Sequence, residues 1–268
     1  METTTLAQLL QGMHTAPGSD ASVPVSGVAY RSGAVRPGDA FFCISGFKHD
    51  GHDFAADAVR RGAAAIVCER SLGTGVTEAV VADTRRALAV ASARFFGDPS
   101  RALEVVGITG TNGKTTTTYL LDSILRAAGR RTGLIGTVET RVAGERLPSA
   151  RTTPESADLQ ALFAQMRDAS VDAVSMEVSS HAIDLHRVDA VTFAVAAFTN
   201  LTQDHLDYHH TLEEYWSVKR RLFTEMPVGA RVVDIDDPRG RELAAAGSAS
   251  WTTGRAEEAA VRAADERR

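Results

Sequence analysis

Residues 103–129 run from an apolar stretch, LEVVGIT, through a glycine-rich turn, GTNG, into an amphipathic segment that opens with Lys-Thr. That order restricts the fold more than any other feature of the chain. Glycines let the backbone bend so that successive N–H groups line an anion-binding nest. The N-terminus of the following helix adds partial positive charge. Lys114 can reach terminal phosphates and the Thr115 hydroxyl can face Mg²⁺. The common phosphate-loop pattern wants glycine where this chain has Ile108, although Gly107 and Gly110 flank the position. A glycine-rich turn alone could be structural. Strand, Gly-Lys-Thr and helix together predict a bound nucleotide.

The rest of the chain supports an α/β fold. VSGVAY, DAFFCI, AAIVCE and EAVVAD read as short strands, with helical patterns at DFAADAVRR and TRRALAVASARFF. GDPSRA (97–102) breaks the pattern and marks the boundary between residues 1–99 and 100–268. Beyond it come helix TTTTYLLDSILRAAG, with a stripe of Leu121, Leu125 and Ala128, strand RTGLIGT and helix ESADLQALFAQMRDA, with Leu159, Leu162, Phe163 and Met166 on one face. Strands VDAVSMEV, VTFAVAAF and ARVVDI follow, with helix TLEEYWSVKRRLF before the last. Such alternation implies a mainly parallel sheet covered on both faces. The polar tail AEEAAVRAADERR reads as loosely held.

Composition excludes other classes. The 268 residues are 44% hydrophobic and 24% charged, enough for a packed core. A net charge of −5 with no Lys/Arg stripe argues against nucleic acid. Cys43 and Cys68 sit in apolar runs and read as buried thiols. METTTLAQLLQG lacks a signal-peptide pattern, and no stretch reaches the ~20 apolar residues of a membrane helix. The expectation is a soluble, cytoplasmic monomer.

TGTNGKTT, SARTTPES, SMEVSSHAIDLHRV, FTNLTQDHLDYH and EEYWSVKRRLF, preceded by YRSGAVRPGDAFFCISGFKHDGHDFAADAVRRGAAAIV, resemble the Mur ligase and folylpolyglutamate synthase superfamily in order and spacing. Within it they are most similar to ligases that extend UDP-MurNAc-L-Ala-D-Glu with diaminopimelate or lysine. The resemblance implies an N-terminal UDP-sugar-binding domain and part of a central ATP-binding domain; the C-terminal domain that selects the amine lies outside these residues. It implies ATP and Mg²⁺ as cofactors and an acyl phosphate intermediate. Gly110, Thr111, Asn112, Gly113, Lys114, Thr115 and Thr116 would hold ATP phosphates. Glu177, His205 and Thr115 would bind Mg²⁺, supported by a carbamylated Lys219. Thr152, Thr153, Ser179 and Arg187 would contact the nucleotide-peptide, and Tyr30, Ser32, Phe47, Lys48 and His49 its uridine diphosphate end.

Each assignment has a structural alternative. Lys219 falls on the stripe of Leu212, Tyr215, Trp216, Leu222 and Phe223, where its stem could pack while its amine snorkels outward. His205 and His209 are four apart, but HLDYH lacks the Glu of a zinc helix and reads as following a strand instead of lying in a helix. Glu177 could accept backbone N–H bonds at a strand end. Thr152 and Thr153 could cap a helix beginning near Pro154, and Ser32 could serve only its turn. Three departures from the family pattern stand out: Arg31-Ser32-Gly33 replaces Asp-Ser-Arg, Leu185 replaces a glutamine, and Asp234 in DIDD takes the place of an adenine-facing Asn. A catalytically incomplete ATP or UDP-sugar-peptide binding protein is the rival reading.

Overall fold

The computed structural model describes residues 4–15, 21–149 and 151–264. Ala150 within SARTTPES and the last four residues of the polar tail lie outside them. The chain falls into two compact units, residues 1–98 with 155–161 and residues 99–154 with 162–268. No helix among the described residues is long and apolar enough to cross a membrane.

The first unit opens with β1 (Thr4–Thr5), α1 (Leu6–Leu9) and β2 (Pro24–Val25), with β1 and β2 antiparallel. Its main sheet is four-stranded and parallel, with β3 (Gly27–Ala29), β4 (Asp39–Phe42), β5 (Ala65–Cys68) and β6 (Thr77–Val80) lying side by side in chain order. Helix α2 (Ala55–Arg60) joins β4 to β5, and α3 (Thr84–Phe95) follows β6. Asp83 starts α3 by accepting the N–H groups of Arg85 (2.8 Å) and Arg86 (2.9 Å). The helix then buries Ala87, Leu88 and Ala91 against Phe42 and Val67. Cys43 and Cys68 are buried free thiols, and burial pushes them up to about 12 and about 11.

The second unit runs β7 (Glu104–Thr109), α4 (Lys114–Ala127), β8 (Thr132–Ile135), β9 (Thr140–Val142), β10 (Glu145–Leu147), α5 (Ser156–Asp168), β11 (Ala173–Glu177), α6 (Ser180–Asp184), β12 (Phe193–Phe198), α7 (Leu206–His209), α8 (Leu212–Thr224), β13 (Val228–Asp234), α9 (Pro238–Ala245), β14 (Trp251–Gly254) and β15 (Val261–Arg262). The first residues of α5 fall within the first unit. The sheet has nine strands in the order β10-β9-β8-β11-β7-β12-β13-β14-β15. It is parallel except for the β9–β10 hairpin, whose Ala143-Gly144 turn has φ of 50° and 95°. Two positive φ values match the twist of paired strands. The next strand after β7 lies two places to one side, while β12 lies directly on the other. β7 is thus a switch point, where a crevice opens beyond the carboxyl ends of the strands.

Three expectations need correction. Leu121 and Leu125 are only half-buried and Ala128 is exposed; α4 buries Thr118 and Asp122 instead. The cause is polar anchoring, because the buried Asp122 carboxylate accepts Thr132 Oγ1 (2.7 Å) and pairs with Arg126 and Arg141 (both 3.0 Å). The polar tail contributes β15, held in parallel by β14. HLDYH does contain helix, since Leu206–His209 form α7 behind His205.

Gly107 on β7 packs closely against Phe193 and Val178. A Cβ there would sit 2.6 Å from the Phe193 ring. Gly107→Ala should therefore cost about 1–3 kcal/mol through overpacking, read as a lower urea midpoint with unchanged slope. Gly33→Ala, whose Cβ meets nothing within 4 Å, serves as the silent comparison; equal midpoints for the two variants would contradict the packing account.

Candidate active site

The phosphate loop is shaped by Gly110 and Gly113, with φ of 147° and 85°. At Gly110 a Cβ would collide with Thr199 Oγ1 at 1.9 Å, so only glycine fits. The loop is strapped to residues 199–202. Thr111 N–H donates to Asn200 O (2.8 Å), Asn112 N–H to Asn200 Oδ1 (3.0 Å) and Thr199 Oγ1 to Asn112 O (2.7 Å). Thr111 Oγ1 accepts Thr202 N–H (2.9 Å). Thr111 and Asn112 thus spend their amides on holding the loop, unlike the expected phosphate contacts. The first-turn N–H groups of α4, from Lys114 to Thr116, have no intrahelical acceptor and point outward for an anion.

Two lysines meet beneath this loop. Lys114 Nζ donates to Gly110 O (2.9 Å) and Thr111 O (2.7 Å). Lys219 Nζ donates to the same Gly110 O (3.0 Å) and to Thr109 Oγ1 (3.3 Å), and lies 4.7 Å from the centre of the Tyr215 ring. Lys219 is only 1% exposed, so the amine does not snorkel. Burial, and then the Lys114 charge, hold its proton affinity well below the usual lysine value. Lys114 is lowered too, mainly by burial, with Glu177 and Asp204 opposing.

A cavity of about 230 Å³ brings together Lys114, Thr115, Thr137, Thr152, Glu177, Ser179, Ser180, His205, Tyr215 and Lys219. Glu177, at the end of β11, is 1% exposed. Its Oε1 accepts Thr137 N–H (2.8 Å), and its Oε2 accepts Thr115 Oγ1 (2.9 Å) and Thr137 Oγ1 (3.2 Å). Gly136 makes room, because a Cβ there would stand 2.6 Å from Glu177 Oε1. The sequence reading missed Gly136 and Thr137, though the glycine at the end of an apolar strand was a visible signal.

The donor set suits a hard cation. Mg²⁺ takes oxygen ligands, and one or two carboxylates plus substrate phosphates suffice; Glu177 and the Thr115 hydroxyl are such donors. No group of three or more His, Cys, Asp or Glu that could hold a metal occurs among the described residues. His205 is in the left-handed region (φ 53°), a conformation uncommon outside glycine. Its ring packs 5.0 Å from His181 and 6.0 Å from Tyr215. His209 is turned away, its Nε2 2.9 Å from Ser180 Oγ, and burial lowers it to about 4.

Other sequence-selected residues divide clearly. Thr152 lines the cavity, but Thr153 is 1% exposed. The Thr153 hydroxyl donates to Glu177 O (2.8 Å) and accepts Ser179 N–H (3.1 Å), which makes it a strap instead of a substrate contact or a helix cap. Ser179 caps α6 by accepting Ala182 N–H (3.1 Å). Arg187 Nη1 donates to Thr153 O (3.3 Å). Asp234 accepts Asp236 N–H (2.9 Å) at the end of β13, and burial raises its pKa.

In the first unit, Tyr30 Oη donates to Asp158 Oδ2 (2.6 Å), with Arg31 bonded to both. Burial, then Asp158, pushes the Tyr30 hydroxyl up to about 12. Tyr30 lines a cavity of about 560 Å³ along β3, and Ser32, Phe47, Lys48 and His49 are not among its lining residues. The Ser32 hydroxyl bonds Asp57. Phe47, Lys48 and His49 form an exposed turn closed by Gly46 N–H donating to His49 O (2.9 Å).

This fold and this site define a phosphate-loop α/β domain joined to a smaller parallel α/β unit. A family described as "Mur ligase middle domain" matches residues 108–268, and "Mur ligase family, catalytic domain" matches residues 24–103. The chain belongs to the Mur ligase family. A UDP-N-acetylmuramoyl-L-alanyl-D-glutamate--2,6-diaminopimelate ligase of Geobacillus thermodenitrificans is 53% identical over 192 residues, covering 72% of this chain and 39% of that protein. The same-named protein of Streptomyces coelicolor is 46% identical over 246 residues, covering 90% and 48%. The chain spans about half or less of these relatives' length. Among solved structures, a ligase with this name matches with a TM-score of 0.82 at 25% identity, covering 96% of this chain and 54% of that one. The MurF ligase of Thermotoga maritima in complex with ADP shares the fold, with a TM-score of 0.60 at 24% identity, covering 85% and 50%.

The depressed proton affinity of Lys219 has a stability consequence. Below the ordinary lysine value of ~10.4 the unfolded chain binds this proton more tightly than the folded chain does, so the site opposes folding; the penalty fades as pH rises toward that value. Lys219→Met, which leaves Gly110 O its bond from Lys114, should be more stable than the parent at pH 7. The gap should narrow as urea titrations approach pH 10, and a constant gap would refute the sign.

Proposed function

We propose that the chain forms the ATP- and carboxylate-binding part of an amide ligase that extends UDP-MurNAc-L-Ala-D-Glu with diaminopimelate. The observation that carries this reading is the single cavity in which Lys114, Thr115, Glu177, His205 and Lys219 converge with Thr152 and Ser179. The names of the relatives supply the substrate class.

In this reading, first-turn amides of α4 and Lys114 hold the γ-phosphate while the substrate carboxylate approaches from the Thr152 side. A carboxylate oxygen attacks phosphorus, the bond to the β-phosphate oxygen breaks, and ADP leaves. The amine of the incoming amino acid then attacks the acyl carbon, loses a proton, and phosphate departs from the tetrahedral intermediate. Reactions of this kind depend on positioning and charge neutralisation more than on covalent chemistry by the protein. Mg²⁺ bound by Thr115, Glu177 and His205 would neutralise phosphate charge. Lys219, a buried amine whose neutral form is favoured, can take up CO₂ and become a carbamate, replacing a repelling cation with an anion.

Phosphate release from ATP that requires UDP-MurNAc-L-Ala-D-Glu, and rises with diaminopimelate, is the direct assay. ATP turnover indifferent to both compounds would defeat the reading. Lys114→Ala should weaken ATP binding roughly 10–100-fold, the worth of a lost charge-assisted contact; unchanged affinity by calorimetry would remove Lys114 from the phosphate site. Lys219→Ala should lose the substrate-dependent reaction, with partial rescue by acetate but not chloride. Full activity in Lys219→Arg would rule out the carbamate, because arginine keeps the charge but cannot become that anion.

A further inference from the structure

We infer that Thr137 sets the direction of a hydrogen-bond relay from Thr152 to Glu177, so that a cation on Glu177 turns Thr152 from acceptor into donor toward the carboxylate substrate. The inference rests on the reading above, in which Glu177 faces the cation and Thr152 the nucleotide-peptide.

Glu177 is buried against neutral donors. Its Oε1 is fixed by the Thr137 backbone N–H (2.8 Å), and Gly136 lets the carboxylate seat directly against the chain. Its Oε2 lies within reach of two hydroxyls, Thr115 (2.9 Å) and Thr137 (3.2 Å). The Thr137 hydroxyl is also 2.9 Å from Thr152 Oγ1, where either atom can donate. Thr115, Glu177, Thr137 and Thr152 therefore form one line along the cavity wall.

Each hydroxyl owns one proton, which settles the polarity of that line. An anionic Oε2 without a cation draws the protons of both Thr115 and Thr137, because a bond to a charged acceptor is stronger than one to a neutral hydroxyl. With the Thr137 proton committed to Glu177, the bond between the threonines must use the Thr152 proton. Thr152 then shows only lone pairs to the cavity, the wrong polarity for a carboxylate. Once Oε2 gives its lone pairs to a divalent cation, the Thr137 proton is free to turn to Thr152. The Thr152 proton is released toward the cavity, where a substrate carboxylate can accept it. The chain thus favours the carboxylate substrate after the cation-nucleotide, and by linkage the reverse also holds.

The test is calorimetry on the 268-residue chain with UDP-MurNAc-L-Ala-D-Glu and a non-hydrolysable ATP analogue, in Mg²⁺ and in EDTA. The expected ratio of the two affinities is roughly tenfold in favour of Mg²⁺, the worth of one hydrogen bond to a charged group. Thr137→Ser should keep that ratio. Thr137→Val, which retains the backbone N–H, and Thr152→Val should each bring it close to one. A tenfold ratio surviving in either valine variant, or lost in Thr137→Ser, overturns the relay. A parent ratio of one also overturns it while leaving the substrate assignment standing. Absence of binding in both conditions overturns the relay and the substrate assignment together.

Discussion

The carbonyl oxygen of Gly110 accepts from Lys114 and Lys219 at once, and the arrangement of the second unit's site follows from that shared acceptor. A main-chain oxygen carries no net charge, so it can gather two amines without supplying the anion that would keep both protonated. Burial and then the Lys114 charge therefore lower the proton affinity of Lys219 and favour its neutral form. The structure tolerates this because the carbonyl is aimed by a glycine in a conformation closed to other residues. A backbone conformation open only to glycine beside a buried amine of lowered proton affinity is a feature of functional sites more than of stable cores.

Much of this site was legible in the residues, for identifiable reasons. Lys219 could be placed indoors because helical periodicity alone puts it between Tyr215 and Phe223, and tertiary packing agrees. Helix α8 was readable because it is thirteen residues long and strongly patterned, and β7 because its apolar run leads straight into the glycine-rich turn. Thr153 and Thr152 could not be separated, since adjacent residues in a loop have no period to decide which faces inward. The fate of Thr111 and Asn112 was hidden for another reason. Their partners, Asn200 and Thr202, lie about ninety positions away in the chain, and local reasoning has no access to such pairings. The α4 stripe failed because a buried aspartate outweighed leucine periodicity, which composition cannot foresee.

The first unit follows simpler rules. Its strands β4 and β5 are buried throughout, as expected of a parallel sheet. The turn at Phe47–His49 gains rigidity from Asp50, whose carboxylate accepts His52 N–H (3.0 Å) and pairs with Arg70 (3.0 Å). The backbone bond from His52, ahead of its side chain and Arg70, holds the Asp50 carboxyl well below the usual range. An exposed aromatic and a lysine are thereby presented on a short, tied loop, which sharpens their geometry without needing a large core beneath them.

Asp237 connects distant parts of the second unit. One carboxylate oxygen accepts Arg239 N–H (2.8 Å) at the start of α9, and the other accepts Leu201 N–H (2.8 Å) in the segment that straps the phosphate loop. Ordering a residue's backbone costs roughly 1–2 kcal/mol of conformational entropy. For residues 110–112 and 199–202 that cost is met when the chain folds, so an arriving ligand need not meet it. Under the function proposed above, nucleotide affinity would therefore draw on the integrity of α9, an element that contributes no residue to the cavity.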